Sequence, residues 1–335
     1  MSWQKIRGHD RVVSVFQHVF RSGRLAHAYL FLGPEGIGKR LFARELAKAL
    51  LCEQRQPEIL EACDRCSACQ LVDAETHPDF IETGPPEGSM EIPIDAIRAL
   101  CHSFSLKSAR GQGKVAVIDH SDELNEEAGN CFLKTLEEPP PKSLLLLVGT
   151  TPDRQLPTLV SRCQLIRFAP LANGLLADLL REHGVDDRLI DRLIQQSEGS
   201  LGQALALADP ALWEFRQKLV TGLKQQRPDK VALAKDWMLF VEEAGKESAS
   251  QRRCSKKIIR LLVDHFRDEL HAVCRTAEQD EPYDNHAARE ERILAMIDRL
   301  LEADHQIDRR VQLVLLVEAL VNDLVDLRLA NAVTS

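Results

Sequence analysis

One glycine-rich segment has the residue types and spacing of a phosphate-binding loop. The residues from Gly33 to Lys39, GPEGIGK, match G-x-x-x-x-G-K between an apolar run, Ala28–Leu32, and a segment of helical periodicity, Leu41–Leu51. In such a loop, backbone N–H groups surround phosphate oxygens, and the helix N-terminus and the lysine add positive charge. The next residue is normally Ser or Thr, whose hydroxyl holds Mg²⁺. Here it is Arg40, which cannot coordinate a cation.

A second acidic position follows another predicted strand. Asp119 ends the run Val115–Ile118 and suits the metal side of a nucleotide site. ATPases of the AAA+ class place a water-activating Glu directly after this Asp, whereas here the next residue is His120. We interpret His120 as a polar turn residue, because an isolated histidine is a weak catalytic signal. The candidate nucleotide-binding residues of these two segments are Gly33, Gly36, Gly38, Lys39 and Asp119.

Two interpretations of this degenerate site stay open at the level of sequence. Either the loop binds ATP or ADP without hydrolysing it, or it is an inherited turn that binds nothing. Hydrolysis is not expected in either case, because the metal-holding hydroxyl and the water-activating carboxylate are both absent.

Four cysteines are spaced as zinc ligands. Cys52, Cys63, Cys66 and Cys69 give C-x10-C-x2-C-x2-C, and each C-x2-C pair places two sulfurs on the same side of a turn. Four thiolates fill a tetrahedral ion, so the spacing predicts a structural zinc knuckle over residues 52–69; the alternative is four unrelated reduced thiols. The scattered cysteines are interpreted as small buried apolar residues: Cys101, Cys131, Cys163, Cys254 and Cys274.

Composition restricts the class of protein. The chain has 335 residues, which suggests two or three domains, and its 44% hydrophobic residues suffice for a core. A net charge of −8 argues against tight DNA binding by the chain alone, since nucleic acid is a polyanion. The first residues lack the apolar segment of a signal peptide, and the longest apolar run, Leu144–Val148, is too short to cross a bilayer. We therefore expect a cytoplasmic protein without membrane contact.

Three regions differ in their periodicity. Residues 1–170 alternate strands and helices, which predicts a parallel sheet with helices on both faces. Residues 171–209 predict a small helical domain, and residues 210–335 an all-helical bundle with Thr276–Arg289 as a connecting loop. A helix is predicted over Glu126–Leu136, and the predicted strands are Ala28–Leu32, Phe80–Glu82, Val115–Ile118, Leu144–Val148 and Leu165–Phe168.

Several motifs in the first 170 residues occur in an order typical of one family. They are HAYLFLGPEGIGK from His27, the cysteine cluster, HPDF from His77, IDAIR from Ile94, NCFLKTLEEPP from Asn130 and LPTLVSRC from Leu156. Together they resemble the AAA+ subunits of the bacterial DNA polymerase III clamp loader. The resemblance implies an α/β AAA+ P-loop module with a small helical lid and a C-terminal helical collar domain. It also implies a role in DNA replication as part of a DNA-directed DNA polymerase holoenzyme, a nucleotidyltransferase.

Within this family, the departures from the nucleotide motifs resemble the delta prime type rather than gamma or tau. Besides Arg40 and His120, the lid motif GSLG from Gly199 has Gly202 where ATP-hydrolysing members have an Arg that touches the nucleotide. The resemblance thus implies a subunit without ATPase activity of its own. Its implied partners are gamma/tau and delta subunits in a hetero-pentameric ring, and, through that complex, the sliding clamp and primed DNA. The family places a phosphate-sensing polar residue after the predicted strand Leu144–Val148, so the resemblance implies Thr151 as a further nucleotide-binding candidate; the alternative is a turn residue at the strand end.

One catalytic motif of the family is intact. Ser161, Arg162 and Cys163 form the SRC motif, whose arginine completes the ATP site of the adjacent subunit in the family. The resemblance therefore implies that Arg162 is an arginine finger acting in trans, and a trans arginine neutralises charge on the transferring phosphoryl group. The alternative is an arginine that forms only a salt bridge.

Two other functions compete with this one. An active ATPase of the gamma/tau type would still use Lys39 and Asp119, but Arg40 argues against it. A zinc-dependent nucleic-acid-binding module is disfavoured by the acidic composition and by the lack of aromatic residues near the cysteines. The basic cluster Arg252–Arg260 is interpreted as a solvated helix face rather than a DNA contact.

Overall fold

The first part of the chain forms a sheet of five parallel strands. The computed structural model describes residues 2–86, 89–276 and 283–329, which divide into one unit up to Leu205 and a second from Ala206. The sheet order is β2-β3-β4-β1-β5, and every pair of neighbouring strands is parallel. All five predicted strands are confirmed, each end within one residue: β1 (Ala28–Leu32), β2 (Phe80–Thr83), β3 (Lys114–Ile118), β4 (Ser143–Val148) and β5 (Gln164–Arg167).

Helices cover both faces of this sheet. The helices are α1 (Asp10–Arg21), α2 (Lys39–Leu51), α3 (Ser67–Asp73), α4 (Ile94–Ser105), α5 (Glu126–Glu137) and α6 (Pro157–Val160). Successive strand residues point to opposite faces, so Phe31 of β1 packs in one core with Phe42 of α2. Leu30 packs in the other core with Phe104 of α4 and Phe132 of α5. The parallel strand order, a core on each face and the complete burial of β1 confirm the predicted fold class.

The carboxyl ends of three adjacent strands meet at one edge of the sheet. There β1 leads into the glycine-rich loop and α2, β3 ends before Asp119, and β4 ends before Gly149. In register, Phe31 of β1 pairs with Val148 of β4, and the strand β3 lies on the other side of β4. Ligand sites of parallel sheets form at this edge, so the loop and Asp119 face a common space.

Short helices complete the first unit. They are α7 (Asn173–Glu182), α8 (Asp187–Ser197) and the beginning of α9 (Leu201–Leu207). The side chain of Asp186 accepts a hydrogen bond of 2.9 Å from the Arg188 N–H and so caps the start of α8. Leu180 of α7 and Leu193 of α8 are fully buried, which holds this helical pair together.

The second unit is helical. It contains α10 (Pro210–Leu223), α11 (Lys230–Glu243), α12 (Ser248–Thr276), α13 (Tyr283–Asp308) and α14 (Leu313–Leu329). Its core includes Trp237, Phe266 and Leu300, all buried. Among the described residues, no helix combines the length and the apolar character that crossing a bilayer requires.

The predicted loop over Thr276–Arg289 is wrong in part. Helix α12 continues to Thr276 and α13 begins at Tyr283, so the second half of that segment is helical; residues 277–282 lie outside the described part of the chain. The prediction failed because a polar composition suits an exposed helical turn as well as a loop. Ala287 and Arg289, for example, are exposed on α13.

Candidate functional site

The phosphate loop has the backbone shape that its glycines allow. Gly36 and Gly38 adopt φ values of +77° and +101°, in the left-handed region that other residues rarely occupy. Gly38 directly precedes α2, so the N-terminus of that helix opens toward the loop. The sequence pattern therefore gives the loop and helix expected of a phosphate site, and the side chains decide what the site can hold.

Lys39 is turned back onto its own loop. Its Nζ donates hydrogen bonds of 2.6 Å to the backbone carbonyls of Gly33 and Pro34, and the side chain is buried. Burial lowers the pKa of Lys39 to about 8, although Asp122 and other nearby carboxylates oppose this shift. Two of its three donors are thus satisfied inside the loop rather than presented to a ligand.

Arg40 is paired with carboxylates on the far side of the loop. Its Nε donates to Oε1 of Glu82 on β2 and lies 3.5 Å from Oδ2 of Asp119. The second oxygen of Glu82 accepts a hydrogen bond of 2.6 Å from Nε of Arg44. The guanidinium of Arg40 therefore neutralises the carboxylate that the motif would use for a metal ion.

A cavity of about 350 Å³ lies between the loop and the strand ends. Its lining carries three carboxylates against two basic side chains, which does not favour a polyphosphate. The lining residues are Glu35, Gly36, Gly38, Lys39, Arg40, Asp119, His120, Asp122, Val148, Gly149 and Thr150. Among the predicted nucleotide-binding residues, the lining includes Gly36, Gly38, Lys39 and Asp119, and it includes Thr150 rather than its neighbour Thr151.

The polar residues after β3 and β4 bind each other. Asp122 accepts a hydrogen bond of 2.9 Å from the Thr150 N–H and another from the Gln155 side chain, and burial raises the pKa of its carboxyl. Thr151 is exposed and begins the turn that follows. His120 adopts a left-handed φ of +51° and is partly exposed, as a turn residue would be.

The helical segment after the sheet closes directly on the phosphate loop. Ser200 Oγ donates a hydrogen bond of 2.6 Å to the Glu35 carbonyl, and the Gly202 N–H donates one of 3.0 Å to the Gly36 carbonyl. A Cβ on Gly202 would lie 2.8 Å from the Cα of Gly36, closer than such atoms approach. The missing side chain at Gly202 is therefore also a steric requirement of this contact.

The four predicted zinc ligands come together. The Sγ atoms of Cys52, Cys63, Cys66 and Cys69 all lie within 4.8 Å of one another. The distances from Cys66 Sγ are 3.9 Å to Cys52 and 3.5 Å to Cys69. A tetrahedral zinc ion with four sulfurs at about 2.3 Å needs sulfur separations of about 3.8 Å, so the donor set fits zinc.

Backbone groups around the cluster favour the thiolate form of Cys63. The Cys66 N–H points at Cys63 Sγ at 3.3 Å, and the Cys63 N–H at Cys52 Sγ at 3.4 Å. Burial opposes ionisation of Cys63, but the N–H groups of Arg65 and Cys66 lower the pKa of its thiol to about 6. Metal binding requires the thiolate form, which these contacts favour at Cys63, whereas burial raises the pKa of the Cys52 and Cys69 thiols.

A buried lysine ties the cysteine cluster to the helix that follows the phosphate loop. Lys48 of α2 is 1% exposed and lies 2.8 Å from Asp64, between two of the cysteines, and 3.1 Å from Asp73 at the end of α3. It also pairs with Glu45 on its own helix at 3.0 Å. This cation is satisfied by three carboxylates, so its role is structural.

Arg162 lies in a different environment from Arg40. Its Nε and Nη2 donate hydrogen bonds of 2.9 and 2.6 Å to Oε1 of Glu137, at the end of α5. Its Nη1 donates to the Thr158 carbonyl at 3.1 Å. The side chains of Arg162 and Glu137 are 37% and 51% exposed, so this arginine is accessible from solvent.

The basic cluster of the second unit makes contacts within that unit. Arg252 Nη1 donates to the Ile307 carbonyl at 3.3 Å, and Lys256 Nζ lies 2.7 Å from a carboxylate oxygen of Asp308. Both contacts join α12 to the end of α13. At least these two basic residues serve the helical packing.

Sequence reasoning missed three residues that shape these sites. Glu82 binds Arg40, Glu137 binds Arg162, and Ser200 binds the phosphate loop. Glu82 could have been found only from the strand order, which places β2 beside β3, the strand that ends before Asp119 near Arg40. Glu137 belongs to the LKTLEEPP motif, but the sequence does not show which motif residues touch each other.

A five-stranded parallel sheet with a phosphate loop between β1 and α2 defines a P-loop module of the AAA+ class. The family model described as DNA polymerase III, delta subunit, matches residues 8–172. The delta prime subunit of DNA polymerase III from Pseudomonas aeruginosa is 37% identical over 221 residues, 63% of this chain and 66% of that protein. The Escherichia coli delta prime subunit is 32% identical over 234 residues, 70% of this chain and 68% of that protein. The chain belongs to the DNA polymerase III delta prime family, which confirms the predicted resemblance.

The chain is also similar to a tau subunit and, more distantly, to a solved structure. The tau subunit of DNA polymerase III from Escherichia coli is 33% identical over 211 residues, 61% of this chain but 32% of the longer tau protein. The solved structure of a DNA polymerase III gamma subunit-related protein from Thermotoga maritima covers 94% of this chain and 99% of that one, at 15% identity and a TM-score of 0.44. The similarity to tau agrees with the assignment of the family.

Proposed function

We propose that this chain is a clamp-loader subunit that does not hydrolyse ATP itself and that lends Arg162 to the ATP site of a neighbouring subunit. The observation that carries the proposal is the placement of the Arg40 guanidinium between Glu82 and Asp119. A metal ion at Asp119 would have to displace this cation. Membership of the delta prime family agrees with the proposal.

Loss of hydrolysis follows from three positions taken together. Arg40 stands where a hydroxyl would hold Mg²⁺, and His120 stands where a carboxylate would activate water. Gly202 stands where an arginine would touch the nucleotide, and its contact with Gly36 has no room for a larger residue. Because Ser200 and Gly202 bind the loop carbonyls directly, we infer that the helical lid is held on the P-loop without a nucleotide between them.

Arg162 supplies the chemistry that this subunit contributes. Its guanidinium is exposed, so it is available to a phosphoryl group on an adjacent chain. A trans arginine neutralises the charge that develops on the transferring phosphoryl group, an effect of ~10³–10⁵ in rate in other NTPases. In this proposal the neighbour is a gamma or tau subunit, in a ring that also contains delta and that loads a sliding clamp on primed DNA.

The proposed division of labour follows the chain. Residues 1–170 form the AAA+ module, residues 171–209 the lid and residues 210–335 the collar through which the hetero-pentameric ring assembles. The five helices described in the second unit are consistent with such a collar. The nucleic acid is reached through the complex, in keeping with the net charge of −8.

We also propose that Cys52, Cys63, Cys66 and Cys69 hold a structural zinc ion, which crosslinks the segment between α2 and α3 when bound. Elemental analysis of the purified chain is expected to give one zinc per chain. Cys66→Ser should remove it, and Cys274→Ser, at an exposed cysteine, should retain it. A chain prepared without chelators that carries no metal would overturn the zinc proposal.

The function is tested by ATP turnover with and without the other subunits. The purified chain is expected to show no Mg²⁺-dependent turnover. In the reconstituted loader, Arg162→Ala should remove the ATP turnover at the adjacent subunit's site, which Arg162 is proposed to complete. Arg188→Ala, at an exposed arginine on α8, should not change turnover. Motor-like turnover by the chain alone, or an unchanged loader with Arg162→Ala, would overturn the proposal.

A further inference from the structure

The arginine of the SRC motif is held in one orientation by neighbouring groups. Glu137 Oε1 accepts hydrogen bonds from both Nε and Nη2 of Arg162, at 2.9 and 2.6 Å. On the other edge of the guanidinium, Nη1 donates to the Thr158 carbonyl at 3.1 Å and to Ser161 Oγ at 3.3 Å. A long, exposed side chain with many rotamers thus has one arrangement set by three partners.

The backbone that carries Arg162 is itself fixed against α5. Leu159 of α6 is fully buried in the same core as Phe132 and Leu136 of α5. Leu156, which precedes α6, packs close to Gly129 on α5. Core packing therefore sets the distance between the Arg162 backbone and the end of α5. Glu137 is not needed for this distance, and its contact sets only the orientation of the guanidinium.

The Arg162–Glu137 pair adds little to the stability of the fold. The two edges of the guanidinium also have different hydrogen-bond acceptors. Both side chains are substantially exposed, 37% for Arg162 and 51% for Glu137, and exposed ion pairs contribute little stability. The Nε–Nη2 edge is bound by a carboxylate, whereas the Nη1 edge is bound by neutral oxygens. A phosphate oxygen makes charge-assisted hydrogen bonds and displaces neutral acceptors more easily than a carboxylate.

We propose that Glu137 is a positioning residue for Arg162: its carboxylate grips the Nε–Nη2 edge and presents the Nη1 edge to the phosphoryl group of the adjacent subunit. This inference rests on the proposed function of Arg162 as a finger in trans. Glu137 touches no reacting atom. Glu137 restricts the guanidinium to few orientations beforehand, so less conformational entropy is lost when the transition state forms.

The test uses the reconstituted loader and measures the portion of ATP turnover that Arg162→Ala removes. Glu137→Ala is expected to lower the kcat of this portion about 2- to 10-fold, the factor for ordering one long side chain. KM should stay within about two-fold, because an interaction made in the transition state changes kcat rather than ground-state binding. Glu138→Ala is the matched control, since Glu138 is the adjacent exposed carboxylate at the end of α5.

A double-mutant cycle separates positioning from a structural role. In an Arg162→Ala background, Glu137→Ala should cause no further loss. An equal loss in both backgrounds would overturn the inference, as would unchanged or higher turnover for Glu137→Ala alone, or the same loss for Glu138→Ala. If Arg162→Ala itself leaves turnover unchanged, the proposed finger fails. If Arg162→Ala lowers turnover and Glu137→Ala does not, only the positioning inference fails.

Discussion

Two arginines of the first unit are each paired with a glutamate, and their environments differ. Arg40 at the phosphate loop is 51% exposed, but its partner Glu82 is only 10% exposed, and Arg40 also lies next to Asp119. Arg162 binds Glu137 with both partners open to solvent. A carboxylate that is shielded from water is expensive to leave unpaired, whereas an exposed pair exchanges partners readily. The same pair of residue types therefore closes one site and keeps the other available.

This difference supports the proposal that the chain retains a nucleotide-binding fold but acts on the nucleotide of another subunit. At the loop, the charges of Lys39 and Arg40 are already compensated, by backbone carbonyls and by carboxylates. Ser200 then fastens the following helical segment over the loop. At the SRC motif, the core fixes the backbone but leaves the guanidinium at the surface.

The largest effect on stability is expected from replacing the glutamate in one of the two arginine–glutamate pairs. Glu82→Ala removes the carboxylate shared by Arg40 and Arg44 and should destabilise the first unit by about 2–4 kcal/mol. Glu137→Ala should cost less than about 1 kcal/mol. Hydrogen exchange of the strand amides, followed by mass spectrometry, reports the stability of this unit. Equal costs for the two substitutions would contradict the distinction between a shielded and an exposed glutamate.

The contact between Gly202 and Gly36 should show the next largest effect. Gly202→Ala places a Cβ 2.8 Å from the Gly36 Cα and should destabilise the unit by about 1–3 kcal/mol. Gly174→Ala is the matched control, because it also lies in a helix but its Cβ meets open space. That control should be neutral or slightly stabilising. Thermal unfolding of both variants measures this difference in stability. An unchanged stability of Gly202→Ala would show that the contact between Gly202 and Gly36 can widen without cost.

The strands and the cysteine cluster could be predicted from local patterns in the sequence. Strands such as Ala28–Leu32 were found because a short, continuous apolar run between turn residues is typical of a buried strand. The cysteine cluster was found because metal ligands have characteristic spacing. Both signals are local, so neither prediction required knowledge of the tertiary arrangement.

The partners of the charged residues could not be predicted in the same way. Arg40 and Glu82 are 42 residues apart and meet only because β2 lies beside β3 in the sheet. The absence of an arginine at Gly202 was visible, but the steric reason for a glycine was not, since it depends on the approach of Gly36. Pairings between distant segments require the strand order and the packing, which composition does not encode.

A smaller, pH-dependent effect is expected from Lys39. Burial lowers its folded-state pKa to about 8, below the ordinary 10.5 of the unfolded chain. Between these values the unfolded chain binds more protons, so raising the pH from 8 to about 9.5 should favour the folded state. Wild type should gain roughly 1–2 kcal/mol relative to Lys39→Met over this range, with Lys107→Met as the control for losing an exposed lysine. Denaturation at both pH values measures this, and a gain in the opposite direction would show that the loop carbonyls hold the proton.

The smallest effect is expected from restoring the motif residue at the loop. Arg40→Ser supplies the hydroxyl that normally holds Mg²⁺, yet it leaves His120 in place of a water-activating carboxylate and Gly202 in place of an arginine. Ser200 and Gly202 would also still fasten the lid to the loop carbonyls. We therefore expect no measurable Mg²⁺-dependent ATP turnover from the isolated Arg40→Ser chain, with the reconstituted loader as the positive control of the assay. Turnover in this single variant would show that Arg40 alone silences the site, and that the lid contact yields to a nucleotide.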